Sequence, residues 1–463
     1  MERKLSIVHS DQEKVETVIV AARQAFLTWR FLSFAKRQQY LEKFCVLLKE
    51  KKSSLAETIS QETGKPYWES LLEVDAMINK LPISIKAYHE RCPEKKEPLK
   101  EGFSTTRHKP LGVLAVFGPF NFPGHLPNGH IMPALLAGNT VVWKPSELTP
   151  TTAEKIMACW NEANLPPGVI QVLQGDKEIG ALIAKHSGIN GLLFTGSVKT
   201  GQLLAKLFAE KPGKLLALEM GGNNPLVVHD VKDIQAAVYT IIQSAYLTAG
   251  QRCTCARRLI MVNNEKSQVL IQALIVAIAK IKVGVYTERP EPFMGPVVSN
   301  LAAARVVDSY QDLLRQGAKA LVPLVQFRSD NPALLSPSLL DVTNVSKRLD
   351  EEIFGPLLQL IWVDSFEKAL QEANNTRFGL AAGLLCDDET LYRQFFETVN
   401  AGVIHWNRPL TGASSQAPFG GIQDSGNYRP SAYYAADYCA YPVASLEETE
   451  LKKPDKLPPG LIV

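Results

Sequence analysis

LGVLAVFG, Leu111 to Gly118, is the first of six short apolar runs that decide the fold; TVVWKPS (140–146), VIQVLQG (169–175), GLLFTGS (191–197), KLLALEM (214–220) and PLVVH (225–229) follow. Helical stretches separate the first five runs. Strands that read as nearly continuous Val, Leu and Ile, joined by helical crossovers, predict a parallel sheet covered on both faces. The expected class is therefore α/β with a doubly wound parallel sheet. Ligands of such sheets bind beyond the carboxyl ends of the strands, which is where the polar residues of these runs fall.

Upstream, Val15, Val18, Ile19, Ala22 and Phe26 recur at three- and four-residue steps, as do Leu41, Phe44, Leu47 and Leu48. This spacing predicts packing helices from residue 12 to about 60, stopped by Gly64 and Pro66 in QETGKP, and a further helix near Trp68 to His89. CPEKKEPLKEGFSTTRHKP is too long and polar for an idle connection, and reads as an arm, a hairpin on a neighbouring subunit, or disorder. Downstream, residues 231 to 425 again alternate helix and strand. The apolar, tyrosine-rich stretch from Ala435 to Leu446 reads as an edge strand, a subunit contact or a buried strand.

The chain has 463 residues, 46% hydrophobic and 21% charged, with 50 basic against 47 acidic side chains. That length predicts two or three domains. Scattered basic residues give no warrant for a nucleic-acid partner. No apolar run is long enough for a membrane span, and MERKLSIVHSDQEKVE lacks the core of a signal peptide, so a cytoplasmic protein is expected. Seven cysteines are spread along the chain, and only Cys253 and Cys255 lie close together. With no second pair and no flanking histidines, they read as thiols rather than as a metal site.

TAGQRCTC, Thr248 to Cys255, holds the candidate nucleophile. Cys253 sits among small and polar residues beside Arg252, a cation that would favour the thiolate; both cysteines read equally well as small buried hydrophobes. Glu219, in LALEMGGNNP thirty-four residues upstream, is a candidate general base. Asn121, framed by Pro119 and Pro123, is a preorganised amide donor of the kind an oxyanion site needs, or a plain turn residue. Lys144 and Glu147 suit a ribose, the carboxylate accepting from a diol and repelling a 2′-phosphate, or form a solvated strand end and helix cap. The turn Gly196, Ser197, Val198, Lys199, Thr200, Gly201 leaves a strand and opens a helix, so its backbone N–H groups suit a pyrophosphate. It is not G-x-G-x-x-G, and it lacks the Lys-Ser/Thr of a nucleoside-triphosphate loop.

Together these motifs resemble the aldehyde dehydrogenase superfamily. G-Q-x-C stands at Gly250 to Cys253, L-E-x-G-G at Leu218 to Gly222, F-T-G-S-x-x-x-G at Phe194 to Gly201 and E-x-F-G-P at Glu352 to Pro356, with the amide loop at Asn121 and the lysine strand end at Lys144. The match runs through nearly the whole chain, although the chain starts almost at the first helix, where the family has a preceding strand segment. The resemblance implies a dinucleotide-binding domain (1–90 and 111–222), an α/β catalytic domain (223–428) and a small oligomerisation arm and tail (91–110 and 429–463), assembled as a homodimer or tetramer.

It also implies roles: Cys253 as nucleophile, Asn121 and the Cys253 backbone N–H as oxyanion donors, Glu219 as the base that activates water, and NAD as cofactor. NAD would lie on Lys144, Glu147, the 196–201 turn, Glu352 and Phe354. The longer stretches FGPFNFPGHLPNGH and SGNYRPSAYYAADYC narrow the resemblance to members acting on a small aldehyde that carries carboxylates. Arg252, Arg429 and, less directly, His125 are then candidates to bind those carboxylates. A cysteine hydrolase without NAD is the competing reading, and a non-catalytic scaffold is a third.

Overall fold

All six apolar runs are strands in the computed structural model, which describes residues 10–454 and 456–463. Five of them form one parallel sheet in the order Ile170–Val172, Thr140–Lys144, Val113–Phe117, Gly191–Gly196, Leu215–Met220. Their residues alternate between two cores, as a two-sided strand requires. Leu114, Val116, Val141, Trp143 and Leu193 pack into one, Val113, Ala115, Phe117, Val142 and Phe194 into the other. The strand order reverses between Val113–Phe117 and Gly191–Gly196. A crevice opens at such a switch.

The sixth run, Pro225–Val228, crosses into a second sheet of seven strands. Its order is Lys319–Val322, Ser338–Asp341, Leu357–Val363, Arg258–Val262, Pro225–Val228, Ala381–Leu385, Val403–Trp406. Only the first of these is antiparallel to its neighbour. A separate core of its own backs this sheet.

Helices Gln12–Trp29, Phe34–Glu50 and Lys52–Thr63 precede the first sheet, begun by the side-chain caps of Asp11 and Ser33 and closed by Gly64 in the left-handed conformation. The helix Tyr67–Arg91 then packs on the helix His125–Ala137. The polar arm is a hairpin, Lys95–Pro98 with Phe103–Pro110. Its second strand pairs with Ala440–Glu447, in register from Phe103↔Glu447 to Pro110↔Ala440.

The tail expected to be one strand is split. Ala435–Cys439 is a short buried helix, held where the Tyr438 hydroxyl meets His130 and the Cys439 carbonyl accepts from Asn139. Among the described residues no helix is long and apolar enough to cross a membrane. The first nine residues of the N-terminal stretch lie outside the described ones.

Candidate active site

Cys253 follows a turn in which Thr248, Ala249 and Gly250 are all left-handed, with φ of 56°, 52° and 70°. Two of the three carry a side chain that disfavours this region, and strain of this kind persists only where the surroundings over-determine it. Several contacts do so here. Arg257, buried at the head of a strand, donates to the carbonyls of Gly250 (2.6 Å) and Arg252 (2.9 Å), tying the two ends of the turn together. Asn224 donates to the carbonyls of Cys253 (2.7 Å) and Cys255 (2.9 Å). At Gly250 only a missing side chain fits, since a Cβ would stand 2.1 Å from the carbonyl oxygen of Gly355. The result is a half-buried Cys253 facing a cavity, while Cys255 is fully buried.

Asn121 and Glu219 line the same cavity. The Asn121 amide donates to the carbonyl of Gln251 at 2.9 Å, which sets it two residues from the thiol. Glu219 is 4% exposed at the end of strand Leu215–Met220. Its Oε1 accepts from the Ser431 N–H at 3.2 Å, and its Oε2 is buried without a hydrogen-bond partner among the described residues. A loop near residues 419–431 is latched over this strand: Asn427 exchanges hydrogen bonds with Leu218 N–H and Leu216 C=O, and Ser425 donates to Gly221.

Burial raises the Glu219 carboxyl well above its ordinary range. Burial likewise pushes the Cys253 thiol up to about 12, the nearby carboxylates of Glu352 and Glu219 adding to it and Arg257 opposing. A nucleophile, a buried carboxyl with raised proton affinity and an amide donor thus share one cavity.

The cavity measures about 1620 Å³. One drug-sized ligand occupies roughly 300–1,000 Å³, so there is room for two. Away from the thiol it runs past Gly196, Ser197, Lys199 and Thr200 to Lys144 and Glu147. Ser197 caps the helix Val198–Phe208, whose N-terminus suits a phosphate group. Lys144 is nearly buried, 3.7 Å from Glu147, and burial lowers its ammonium pKa. Val198 and Gly201, grouped with this turn on sequence, do not line the cavity. Val198 packs on the core, and a Cβ on Gly201 would meet Met220 Sδ at 2.1 Å. Glu352 and Phe354 lie at the thiol end of the cavity. Burial pushes the Glu352 carboxyl up to about 7 despite Arg257 at 3.8 Å.

Two expectations about cations are corrected. Arg252 does not serve the thiol: its guanidinium pairs with Glu69 at 2.6 Å, donates to Thr248 at 2.8 Å and lies over the Phe122 ring. The cation that acts on Cys253 is Arg257. Arg252 does line the cavity, but its charge is already matched by Glu69. Arg429 is exposed and not part of the lining. His125 does line the cavity. Burial, helped by Lys80, lowers its pKa to about 4, and its Nδ1 is buried without a partner among the described residues.

Sequence reading missed the inner wall. Along one face of helix Tyr67–Arg91, Glu69, Leu72, Glu73, Ala76 and Lys80 line the cavity at three- and four-residue steps. Thr248 donates to Glu69, Lys65 pairs with Glu73, and Glu73 accepts from the N–H groups of Gly124 (2.9 Å) and His125 (3.1 Å). Asn224 and Arg257 were missed as well. Their signal was a polar residue heading an apolar strand, as in NNPLVV and CARRLIMV.

Comparison with known proteins matches residues 2–442 to the aldehyde dehydrogenase family. The chain is 56% identical, over 448 residues covering 97% of it and 92% of the relative, to the N-succinylglutamate 5-semialdehyde dehydrogenase of Ectopseudomonas mendocina (strain ymp). Two solved structures are also similar. One is an indole-3-acetaldehyde dehydrogenase in complex with NAD+ (28% identity, TM-score 0.89, 95% of this chain and 90% of that one). The other is the betaine aldehyde dehydrogenase of Staphylococcus aureus in complex with NAD+ (27%, TM-score 0.89, 97% and 90%). With its motifs gathered around one cavity on this fold, the chain belongs to the aldehyde dehydrogenase family.

Proposed function

We propose that this enzyme oxidises N-succinyl-L-glutamate 5-semialdehyde to N-succinyl-L-glutamate with NAD, a step of arginine catabolism by the succinylated route. The identity of 56% over 97% of the chain to an enzyme of that name carries the reading. The cavity residues suit a dinucleotide: Glu147 and Lys144 for the adenosine ribose, the Gly196–Thr200 turn for the pyrophosphate, Glu352 for the second ribose and Phe354 beside it. A carboxylate at Glu147 favours NAD over a cofactor bearing a 2′-phosphate.

Cys253 attacks the aldehyde carbon as the thiolate, its proton having passed to solvent through the cavity that the thiol faces. The developing alkoxide is held by the Asn121 amide and the Cys253 N–H, donors fixed before the reaction begins. When bound, NAD supplies the hydride acceptor that turns the thiohemiacetal into a thioester. Glu219, with one oxygen unpaired, takes a proton from water, and that water releases the acid. Enzymes that hand the acyl group to coenzyme A have no need of this carboxyl, so its presence supports hydrolysis. The three-stranded sheet of arm and tail would serve as the subunit contact of a dimer or tetramer, and the cytoplasm as the site of action.

The test is NADH formation with a panel of aldehydes. The highest kcat/KM is expected for N-succinylglutamate semialdehyde, above glutamate and succinate semialdehydes; equal values would leave only a general aldehyde dehydrogenase. Hydrolysis of an activated ester by protein that binds no NAD in calorimetry would instead favour the cysteine hydrolase.

A further inference from the structure

The charges on the inner wall of the cavity are matched in pairs, with one exception. Glu69 is paired with Arg252 and Glu73 with Lys65. His125 and His130 face the same space, and burial lowers their pKa values to about 4 and about 3, so both are neutral near pH 7. Lys80 remains. Its side chain is 1% exposed and lines the cavity, and its ammonium has one acceptor among the described residues, the Ala432 carbonyl at 2.8 Å. An ammonium has three donors. A buried cation without a counter-charge is costly unless an anion comes to it, and burial already lowers the Lys80 pKa to about 8.

Room for an anion lies on the facing helix. Gly129 lines the cavity one turn beyond His125, and a Cβ placed on it would meet no described atom within 4 Å other than its chain neighbours and the adjacent backbone of its own helix. The two helices are in contact, with Asn128 donating to the Met77 carbonyl at 3.2 Å. The widening at Gly129 and the unmatched charge at Lys80 therefore belong to one end of the same cavity. Ser431, next in the chain to the Ala432 that accepts from Lys80, donates its N–H to Glu219.

We propose that Lys80 is a specificity residue, binding a substrate carboxylate remote from the aldehyde in the space that Gly129 leaves open. The inference rests on the reading of the substrate as a carboxylated semialdehyde, and deepens it. A cation placed on that carboxylate selects such substrates over uncharged aldehydes of the same length, and the absence of a side chain at 129 admits their bulk.

Lys80→Met keeps the length and removes the charge. The quantity to measure is the ratio of kcat/KM for N-succinylglutamate semialdehyde to that for hexanal, with the thermal midpoint alongside. We expect the ratio to fall about thirtyfold, the size of one charge-assisted hydrogen bond, with the midpoint held or raised because an unmatched buried charge has gone. An unchanged ratio, or an equal loss on both aldehydes with a lowered midpoint, overturns the role and leaves the proposed reaction standing. A wild-type enzyme that shows no preference for the carboxylated aldehyde fails earlier, at the reaction itself. Gly129→Val gives an independent reading should the Met variant not fold: it is expected to cut kcat/KM for the succinylated substrate at least tenfold more than for propanal, and equal effects would refute the assignment.

Discussion

The two ends of the cavity are built differently. At the cofactor end the residues stand where strands finish, at Lys144 and the Gly196–Thr200 turn, a buried ammonium and a row of backbone N–H groups that the sheet itself positions. At the substrate end they are buried charges on and beside one helix face, Glu69 paired with Arg252 and Glu73 with Lys65, while Lys80 has no counter-charge among the described residues. The first end depends on topology, which many sequences share. The second depends on pairings that a single substitution rewrites, so specificity is carried there and chemistry at the junction.

The junction gives the largest expected effects. Cys253→Ala should lower NADH formation at least about 10⁴-fold with the fold intact, since no other thiol is placed to form the covalent bond and Cys255 is sealed in the core. Turnover near the wild-type rate would sink the assignment. Glu219→Gln should leave the first turnover and slow the second: a burst of about one NADH per subunit, then a steady state reduced by roughly 10²–10⁴. Stopped-flow absorbance separates the two phases. Loss of the burst itself would move Glu219 from hydrolysis to thiol activation.

The same contrast explains what the sequence made legible. The strands from Val113 to Val228 were readable because each carries a run of buried apolar residues on both faces, and the motifs at their ends inherit positions from the sheet. Glu219 and Asn121 come together for that reason, and the turn at Thr248–Gly250 brings Cys253 to them. Glu69, Glu73 and Lys80 in YWESLLEVDAMINK look like the solvated charges of any surface helix, because sequence does not show that a second helix will cover them. Arg252 misled in the opposite way: adjacency to the thiol suggested an electrostatic partner, yet neighbours on a turn point apart, and the guanidinium went to Glu69. Arg429 suggested a carboxylate ligand because a carboxylated substrate needs cations, and its side chain is exposed outside the cavity.

Glu352 sits at the join of the two ends and offers a test in stability. Burial holds its carboxyl at about 7, above the unfolded value near 4.3. Between those values the folded chain keeps a proton that the unfolded chain has released, so stability falls as pH rises through the window and levels off above it. Gln at 352 is neutral throughout. From pH 5 to pH 8 the wild type should therefore lose about 2–3 kcal/mol that Glu352→Gln retains, read as the difference in denaturant midpoints without cofactor. Parallel curves for the two proteins would mean that the carboxyl titrates as an ordinary one.

The smallest effect belongs to the outermost cofactor residue. The Glu147 side chain is 53% exposed, so its charge is screened, and Lys144 stands 3.7 Å away. Glu147→Gln acts twice in the same direction. It removes a carboxylate that repels a 2′-phosphate, and it frees the Lys144 ammonium to attract one. Exposed pairs of this kind contribute about 0.2–1 kcal/mol each, so the ratio of kcat/KM with NADP to that with NAD should rise only about three- to tenfold. The rise should come from both sides, KM for NAD increasing as the diol loses an acceptor while KM for NADP falls. A ratio that does not move would mean that the adenosine ribose is held elsewhere. The cofactor end would then owe its preference to the backbone turn at Gly196–Thr200, and the contrast between a topological end and a side-chain end would become sharper.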